Sequence, residues 1–216
     1  MKKIFQKVFL FVATMTLSLG FASCSDDDDP VTEGNVVPAT ELSAVANTYV
    51  NDIINPTYKD LRDNAKILKD ACDKAYANAK AGNLSDADIT NACEAFKKAR
   101  CEWERSEAFL YGAAANNEID PHIDSWPLDH DQLVKALNNQ SIITGIKGSN
   151  PAQFIYTENK DFDSVIGFHG LEFVLFRNGA ARTAAMLNAN ETEEGMTSVK
   201  GIDELAFAAA VAGDIY

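Results

Sequence analysis

The chain has 216 residues, of which 46% are hydrophobic, and it carries a formal net charge of −13. This acidity argues against partners such as nucleic acid or anionic lipid headgroups, because like charges repel. The length suits one substantial domain with a buried core.

The first 23 residues are typical of an export signal. Lys2, Lys3 and Lys7 precede an apolar stretch over residues 8–19, which is too short to span a bilayer comfortably. The six residues that end at Cys24 resemble a bacterial lipobox, although the position three before the cysteine is not the usual Leu. We predict that Cys24 is acylated and anchors an outer-membrane lipoprotein, with cleavage at a nearby small residue as the alternative.

Residues 24–38 are expected to form a flexible acidic tether, because they combine acids, prolines and a glycine without periodicity. The run from Asp26 to Asp29 resembles the acidic tag of surface-exposed lipoproteins. A solvated tether would use the same residues. The side of the membrane, periplasm or cell surface, therefore stays open.

Two long helices are predicted next. Apolar residues recur every three or four positions from Ala39 to about Lys80, and Pro56 should kink or split this element. Ser85 and Asp88 have the spacing of a capping box for a second helix, which should extend to about Tyr111. Its inner stripe is predicted to consist of Ile89, Cys93, Phe96, Trp103 and Leu110.

A second stripe on the same helix contains Arg100, Glu104, Glu107 and Tyr111. On periodicity alone we interpret it as a solvated face, whose ion pairs contribute tenths of a kcal/mol.

The rest of the chain is predicted to alternate loops with shorter helices. Residues 112–130 should form a loop anchored near Trp126, residues 130–138 a short helix, and residues 139–160 an irregular segment. No run of alternating strands is apparent. The predicted class is therefore all-α, an up-and-down helical bundle with short turns.

The last sixteen residues, 201–216, are predicted to form an alanine-rich buried helix. This helix ends without the polar tail that usually closes a chain. We therefore expect the sequence to be cut short.

Three cysteines remain after Cys24, namely Cys72, Cys93 and Cys101. Each is predicted to lie on an apolar helical face. Buried thiols are therefore favoured over a single disulfide, and the spacing does not fit a thiolate zinc site.

The segment 167–176 is the most informative, because it places His169 and Glu172 in an otherwise apolar run. Residues three apart share one face of a helix. A carboxylate in such surroundings needs a partner, which would be a metal, the imidazole or polar groups of facing helices. Asp161 or Asp163 could cap this helix and Gly179 could end it. Gly167 and Gly170 would allow another helix or a ligand to approach closely.

Three segments together resemble the imelysin family: Ala99-Arg100 with Ser106-Glu107-Ala108-Phe109, Trp126-Pro127-Leu128-Asp129, and Gly167-x-His169-x-x-Glu172-Phe173, which fits the family pattern Gly-x-His-x-x-Glu. The similarity spans about residues 42–216. It implies an envelope protein of two helical bundles that is associated with iron acquisition and also classed as a metallopeptidase. Family members are longer, so residues 39–216 would form an incomplete domain with the first bundle and the start of the second.

The resemblance also implies a site. Its metal ligands would be His169, Glu172 and Glu107, with Asp129 as a further oxygen ligand. The other residues that it places around the same interior are Arg100, Trp126 and Gly167. The stripe that contains Glu107 would then face inward.

The leading hypothesis is a lipid-anchored protein that binds a metal ion, iron or zinc, or an iron-bearing ligand, and that works with envelope uptake proteins. Two alternatives remain. One is a zinc metallopeptidase that uses His169 and Glu172, although the sequence offers no clear third ligand or general base. The other is a metal-free binding module in which the pair only makes the core rigid.

Overall fold

The structure is a computed structural model that describes residues 37–158, 164–192 and 194–216. Residues 46–216 form one compact unit, and the described residues 37–45 belong to a separate one. The predicted signal peptide and Cys24 lie outside the described residues, as do the proposed capping residues Asp161 and Asp163.

The described residues are mostly helical and contain almost no sheet, which confirms the predicted all-α class. In chain order the helices are α1 (Ala39–Tyr49), α2 (Asn55–Lys80), α3 (Asp86–Ser106), α4 (Ala113–Asn116), α5 (Ile119–Ile123), α6 (His130–Asn138), α7 (Gln140–Ile146), α8 (Pro151–Glu158), α9 (Gly167–Leu175), α10 (Ala184–Leu187) and α11 (Gly201–Ile215). A π-helical segment, Val50–Ile54, and a 3-10 turn, Glu107–Phe109, accompany them. One small hairpin, β1 (Phe176–Arg177) with β2 (Ala180–Ala181), follows α9.

The predicted break at Pro56 coincides with a change of helix type. The π-helical segment Val50–Ile54 precedes α2, and Pro56 lies in the first turn of α2, where a missing backbone N–H costs nothing. The α2 helix then packs along α3 after the short connection 81–85. Its exposed side carries three Lys–Asp pairs at i, i+4 spacing, of which Lys59–Asp63 is one.

The predicted capping box at the start of α3 is confirmed. The Asp88 amide donates to Ser85 Oγ at 3.3 Å, and the Ser85 amide donates to Asp88 Oδ2 at 3.1 Å. The Ser85 hydroxyl and the Asn78 amide also donate to Asp88 Oδ2. These donors lower the pKa of Asp88 to about 2, the Ser85 hydroxyl most of all.

Several predicted boundaries are wrong. Helix α3 ends at Ser106 rather than near Tyr111, because the chain tightens into the 3-10 turn Glu107–Phe109. The segment 112–130 contains the short helices α4 and α5, and the segment 139–160, predicted to be irregular, contains α7 and α8. Helices of four to eight residues make at most about two turns, which is too little for a periodic pattern to emerge.

The expectation that Gly179 could end helix α9 is wrong. The helix ends at Leu175, and Asn178 and Gly179 form the tip of the hairpin with φ angles of 53° and 76°. Two consecutive positive φ angles define a type I′ turn, for which Asn-Gly is the favoured sequence. The dipeptide was therefore a hairpin signal that the sequence analysis missed.

The C-terminal helix α11 is buried along most of its length, as predicted. It packs against α2, α8 and α9, and α9 in turn contacts α3. The small residues of α11 allow these close approaches. Gly213 is one of them, because a Cβ there would lie 3.2 Å from the Ala152 Cβ of α8. The core therefore lies between α2, α3, α9 and α11.

The cysteines follow the prediction in part. Cys72 and Cys93 are buried free thiols, and burial raises the pKa of Cys93 to about 11. Cys101 is also a free thiol but is exposed, so its assignment to an apolar helical face was wrong. Within the described ranges, no helix has both the length and the apolar character needed to cross a membrane.

A buried cluster of two arginines and two glutamates joins the hairpin to α11. Arg182 donates to both carboxylate oxygens of Glu204, at 2.6 and 3.1 Å, and only 1% of the Arg182 side chain is exposed. Arg177 and Arg182 also approach Glu191, at 2.8 and 3.1 Å. Each charge is compensated by an opposite one, which is the condition for burying such groups.

Removing one member of this cluster should destabilise the fold strongly. Arg182→Ala leaves Glu204 as a buried carboxylate without its bidentate partner, so we expect a loss of about 3–5 kcal/mol in the free energy of unfolding. Lys59→Ala is the control, because Lys59 and Asp63 are 63% and 46% exposed. That variant should lose no more than about 1 kcal/mol. Chemical denaturation measures both, and equal losses would contradict the assignment.

The Asp88 cap should make stability depend on pH in acid. A carboxyl group whose pKa is lower in the folded state contributes its full stabilisation above the unfolded value of 3.8, and the contribution disappears as pH falls through about 2. Between these pH values the unfolding free energy of the parent chain should fall more steeply than that of Asp88→Asn. Asp70→Asn, at an exposed carboxylate, should retain the parent slope. Parallel slopes for the parent and Asp88→Asn would refute the role of the cap.

Candidate functional site

Two glycines set the position of the helix that carries His169. Gly167 has a φ of +71°, and a Cβ there would lie 2.2 Å from the Ile123 carbonyl oxygen. At Gly170 a Cβ would lie 1.9 Å from the Val165 carbonyl oxygen. From the sequence alone, these glycines could allow either another helix or a ligand to approach closely. In the structure both glycines allow backbone to approach closely. Gly167 faces the end of α5, and Gly170 faces the residues just before α9.

The His169 imidazole lies between two carboxylates. Its Nε2 is 3.1 Å from Asp124 Oδ1, and its Nδ1 is 3.6 Å from Glu172 Oε2. The His169 side chain is 15% exposed, the Asp124 side chain 6% and the Glu172 side chain 55%. The buried carboxylate therefore faces one ring nitrogen and the exposed carboxylate faces the other.

Asp124 is the residue that the sequence analysis missed. It is the C-cap of α5, and its carboxylate accepts hydrogen bonds from two side chains of α3. Trp103 Nε1 donates to Oδ2 at 2.6 Å, and the Arg100 guanidinium donates to Oδ1. A lone Asp at the end of a short helix has no periodic or motif signal. The sequence pointed to this loop only through the nearby segment Trp126-Pro127-Leu128-Asp129.

Asp124 also defines how His169 is oriented. A carboxylate can only accept hydrogen bonds, and the nearer carboxylate, Asp124 at 3.1 Å, faces Nε2, whereas Glu172 lies 3.6 Å from Nδ1. In the tautomer that carries its proton on Nε2, the Nδ1 lone pair faces Glu172. A histidine whose second nitrogen contacts a carboxylate is the usual arrangement behind a metal-binding imidazole, where the carboxylate fixes the tautomer and increases ligand basicity.

The second stripe of α3 faces the site only at its first member. The Arg100 side chain is 24% exposed and contacts both Asp124 and Glu104, with its guanidinium 5.4 Å from the Phe168 ring centre. Glu104, Glu107 and Tyr111 are exposed. The interpretation as a solvated face therefore holds for these three residues and not for Arg100.

Glu107 lies in the 3-10 turn after α3. In the described residues no hydrogen bond or ion pair joins it to His169 or Glu172. The pKa of Glu107 is raised, first by partial desolvation and then by the negative charges of Glu104 and Asp124. The Asp124 charge of the site therefore acts on the Glu107 carboxyl group without a direct contact.

The two predicted site residues of the segment 126–129, Trp126 and Asp129, have different roles in the structure. The Trp126 ring lies 4.6 Å from the His169 ring between centres, although 73% of Trp126 is exposed. Asp129 caps α6, where its carboxylate accepts from the Gln132 amide at 2.9 Å. The tryptophan therefore borders the imidazole, whereas the Asp129 carboxylate is engaged in a helix cap.

A cavity of about 430 Å³ opens beside His169 and Glu172. The other residues around it are mostly aromatic or cationic, namely Phe96, Lys97, Trp126, Leu128, Phe173, Phe176 and Arg177, with Asn178 and Gly179 at the hairpin tip. The pair is thus reachable from solvent through a pocket with apolar walls.

The donor set fits a metal ion in part. His169 Nδ1 and Glu172 Oε2 are 3.6 Å apart, a separation that one ion can bridge with bonds of about 2.0–2.2 Å to each. Within the described part of the chain, no three His, Cys, Asp or Glu side chains are grouped to hold a metal. These residues therefore offer two ligands with an oriented imidazole, and further donors would have to come from elsewhere.

Loss of the Asp124 carboxylate should destabilise the fold, because the buried Trp103 Nε1–H would lose its acceptor and Arg100 would lose one of its two carboxylate partners. We expect Asp124→Ala to lower the free energy of unfolding by about 3 kcal/mol. Glu104→Ala removes the other carboxylate on Arg100, but its side chain is 48% exposed, so it should cost no more than about 1 kcal/mol. Chemical denaturation of both variants checks this, and similar losses would argue against Asp124 as the central acceptor.

Three known proteins are similar to this chain in sequence or in structure. A crystal structure from Parabacteroides distasonis, which carries the provisional name iron-regulated protein A precursor, superposes with a TM-score of 0.63 at 29% identity over 85% of this chain and 44% of that chain. Iron-regulated protein A of Synechococcus elongatus is 28% identical over 128 residues, which are 59% of this chain and 30% of that protein. An imelysin peptidase of Bacteroides ovatus is 35% identical over 67% of this chain and 39% of that chain, with a TM-score of 0.49.

This chain spans less than half the length of each of these relatives. The similarity nevertheless extends over most of the present sequence. The model of the Imelysin family matches residues 54–215, a range that includes the segment with Gly167, His169 and Glu172. The chain belongs to the Imelysin family.

Proposed function

We propose that this chain binds iron, as an ion or as an iron-bearing ligand, at His169 and Glu172. The observation that carries the proposal is the arrangement of one imidazole between two carboxylates. Buried Asp124 occupies the Nε2 side, and the Nδ1 side faces Glu172 at 3.6 Å beside an open cavity. The names of two relatives, iron-regulated protein A, support iron as the cargo.

The donor chemistry supports the same class of metal. A neutral imidazole nitrogen and a carboxylate oxygen suit iron or zinc, whereas calcium prefers a set made only of oxygens. Glu172 is more than half exposed, so its carboxylate is accessible to a cation that enters the cavity. Asp124 keeps the imidazole in place in the meantime, through the hydrogen bonds that it accepts from α3.

The proposed role is iron acquisition at the cell envelope. The export signal and lipobox-like sequence that end at Cys24 support an outer-membrane lipoprotein, anchored by its acylated cysteine on either side of that membrane. In this arrangement the acidic residues 24–38 would separate the anchor from the helical domain, residues 39–216. Envelope uptake proteins would be its partners.

A zinc peptidase would need more than the described residues provide. Catalytic zinc sites use three protein ligands and a general base beside a bound water. Among the described residues that line the cavity, His169 and Glu172 are the two with metal-binding side chains, and Asp124 is engaged with Arg100 and Trp103. The geometry therefore favours binding over hydrolysis.

Titration of the purified chain with Fe(II) under anaerobic conditions tests the site. The parent should bind iron, and His169→Ala should weaken binding by at least about tenfold, because one of two protein ligands is lost. Glu172→Gln should have a similar effect. Equilibrium dialysis with metal analysis gives the affinities.

His122→Ala is the matched control. His122 pairs with Asp214 at 2.8 Å, on α11 and away from the cavity, so its loss should leave the iron affinity unchanged. If His122→Ala and His169→Ala bind iron equally well, the proposed site is wrong. Circular dichroism of each variant should establish that it is folded before its affinity is compared.

A further inference from the structure

The cavity beside His169 is larger than a hydrated ion needs. At about 430 Å³ it lies within the range of small-molecule sites, about 300–1,000 Å³, whereas one water molecule takes about 30 Å³. The two donors of the chain, His169 Nδ1 and Glu172 Oε2, lie together at its wall. Most of the volume is therefore beyond the reach of an ion held by this pair.

The walls of the cavity favour flat aromatic groups. Four aromatic side chains line it, Phe96, Trp126, Phe173 and Phe176. Trp126 leaves 73% of its surface exposed, which is unusual for so large an apolar side chain in a soluble domain. Its ring stands beside the imidazole and so borders both the donors and the open volume.

The charges around the cavity differ from those of the whole chain. Two cations, Lys97 and Arg177, line this cavity together with the carboxylate of Glu172. Both also pair with carboxylates outside the cavity lining, Lys97 with Glu94 and Arg177 with Glu191. The Arg177 guanidinium lies 3.5 Å from the Phe173 ring centre, which places a cation at the aromatic wall. Ammonium and guanidinium donors at the wall suit an anionic group better than the carboxylates that predominate in the rest of this acidic chain.

We infer that the cargo is a metal chelate with a flat, anionic aromatic donor group, of which a catecholate is the simplest case. This inference rests on the proposed function. The pair His169–Glu172 would supply two donors, and the chelator would supply the rest and lie against Trp126. This resolves the incomplete ligand set among the described residues, because the missing donors arrive with the cargo.

The test compares four probes on the purified chain: ferric catecholate, ferric citrate, anaerobic Fe(II) and catechol alone. Equilibrium dialysis with metal analysis gives the affinities for the metal probes, and quenching of tryptophan fluorescence gives the affinity for catechol. Ferric catecholate should bind about tenfold more tightly than ferric citrate, because one aromatic contact contributes up to about a factor of ten. His169→Ala should weaken both ferric complexes.

Trp126→Ala separates the aromatic contact from the metal ligands. It should weaken ferric catecholate by about tenfold while changing ferric citrate by less than about twofold. Tyr156→Ala is the matched control, because Tyr156 is also exposed, at 64%, but contacts His122 rather than this cavity. It should leave both affinities unchanged.

The outcomes distinguish the inference from the function on which it rests. If Fe(II) or ferric citrate binds as tightly as ferric catecholate, and His169→Ala abolishes that binding, the chelate inference is overturned and the proposed function stands. If catechol alone binds as tightly as its ferric complex, and binding survives in His169→Ala, both are overturned. Absence of binding by all four probes overturns both as well.

Discussion

The buried carboxylate of Asp124 is the constraint on which the site depends. It accepts hydrogen bonds from Arg100 and Trp103 of α3 and faces His169 of α9. A desolvated carboxylate needs such donors, since its burial would otherwise cost several kcal/mol. The packing of α3 against α9 and the orientation of the imidazole therefore depend on the same carboxylate. The arrangement of His169 and Asp124 cannot be changed without disturbing the core.

Helix α9 is held at both ends, which explains why its two polar side chains can be positioned so closely. At its start, Gly167 allows the backbone of Ile123 to approach within a distance that any side chain would prevent. After its end, the hairpin turns the chain back so that Arg177 and Arg182 meet Glu191 and Glu204. His169 and Glu172 lie between these two fixed points, with the imidazole mostly buried and the carboxylate at the surface.

Long elements were predictable because their patterns repeat. The inner stripe of α3, including Phe96 and Trp103, is buried as its spacing indicates, and Ser85 with Asp88 marks the start of the helix. Short elements were not, because one or two turns do not establish a period. The hairpin tip was different. Asn178-Gly179 did carry a turn signal, but the apolar run before it drew the interpretation toward a longer helix.

The sequence by itself determined the family, the helical class and the local relation between His169 and Glu172, because residues three apart on a helix meet whatever the rest of the fold does. Only the tertiary structure decided which nitrogen of the imidazole faces which carboxylate. Asp124 lies far from His169 along the chain, and its partners Arg100 and Trp103 come from another helix. Contacts of this kind arise from packing between helices, and no single segment contains the information that specifies them.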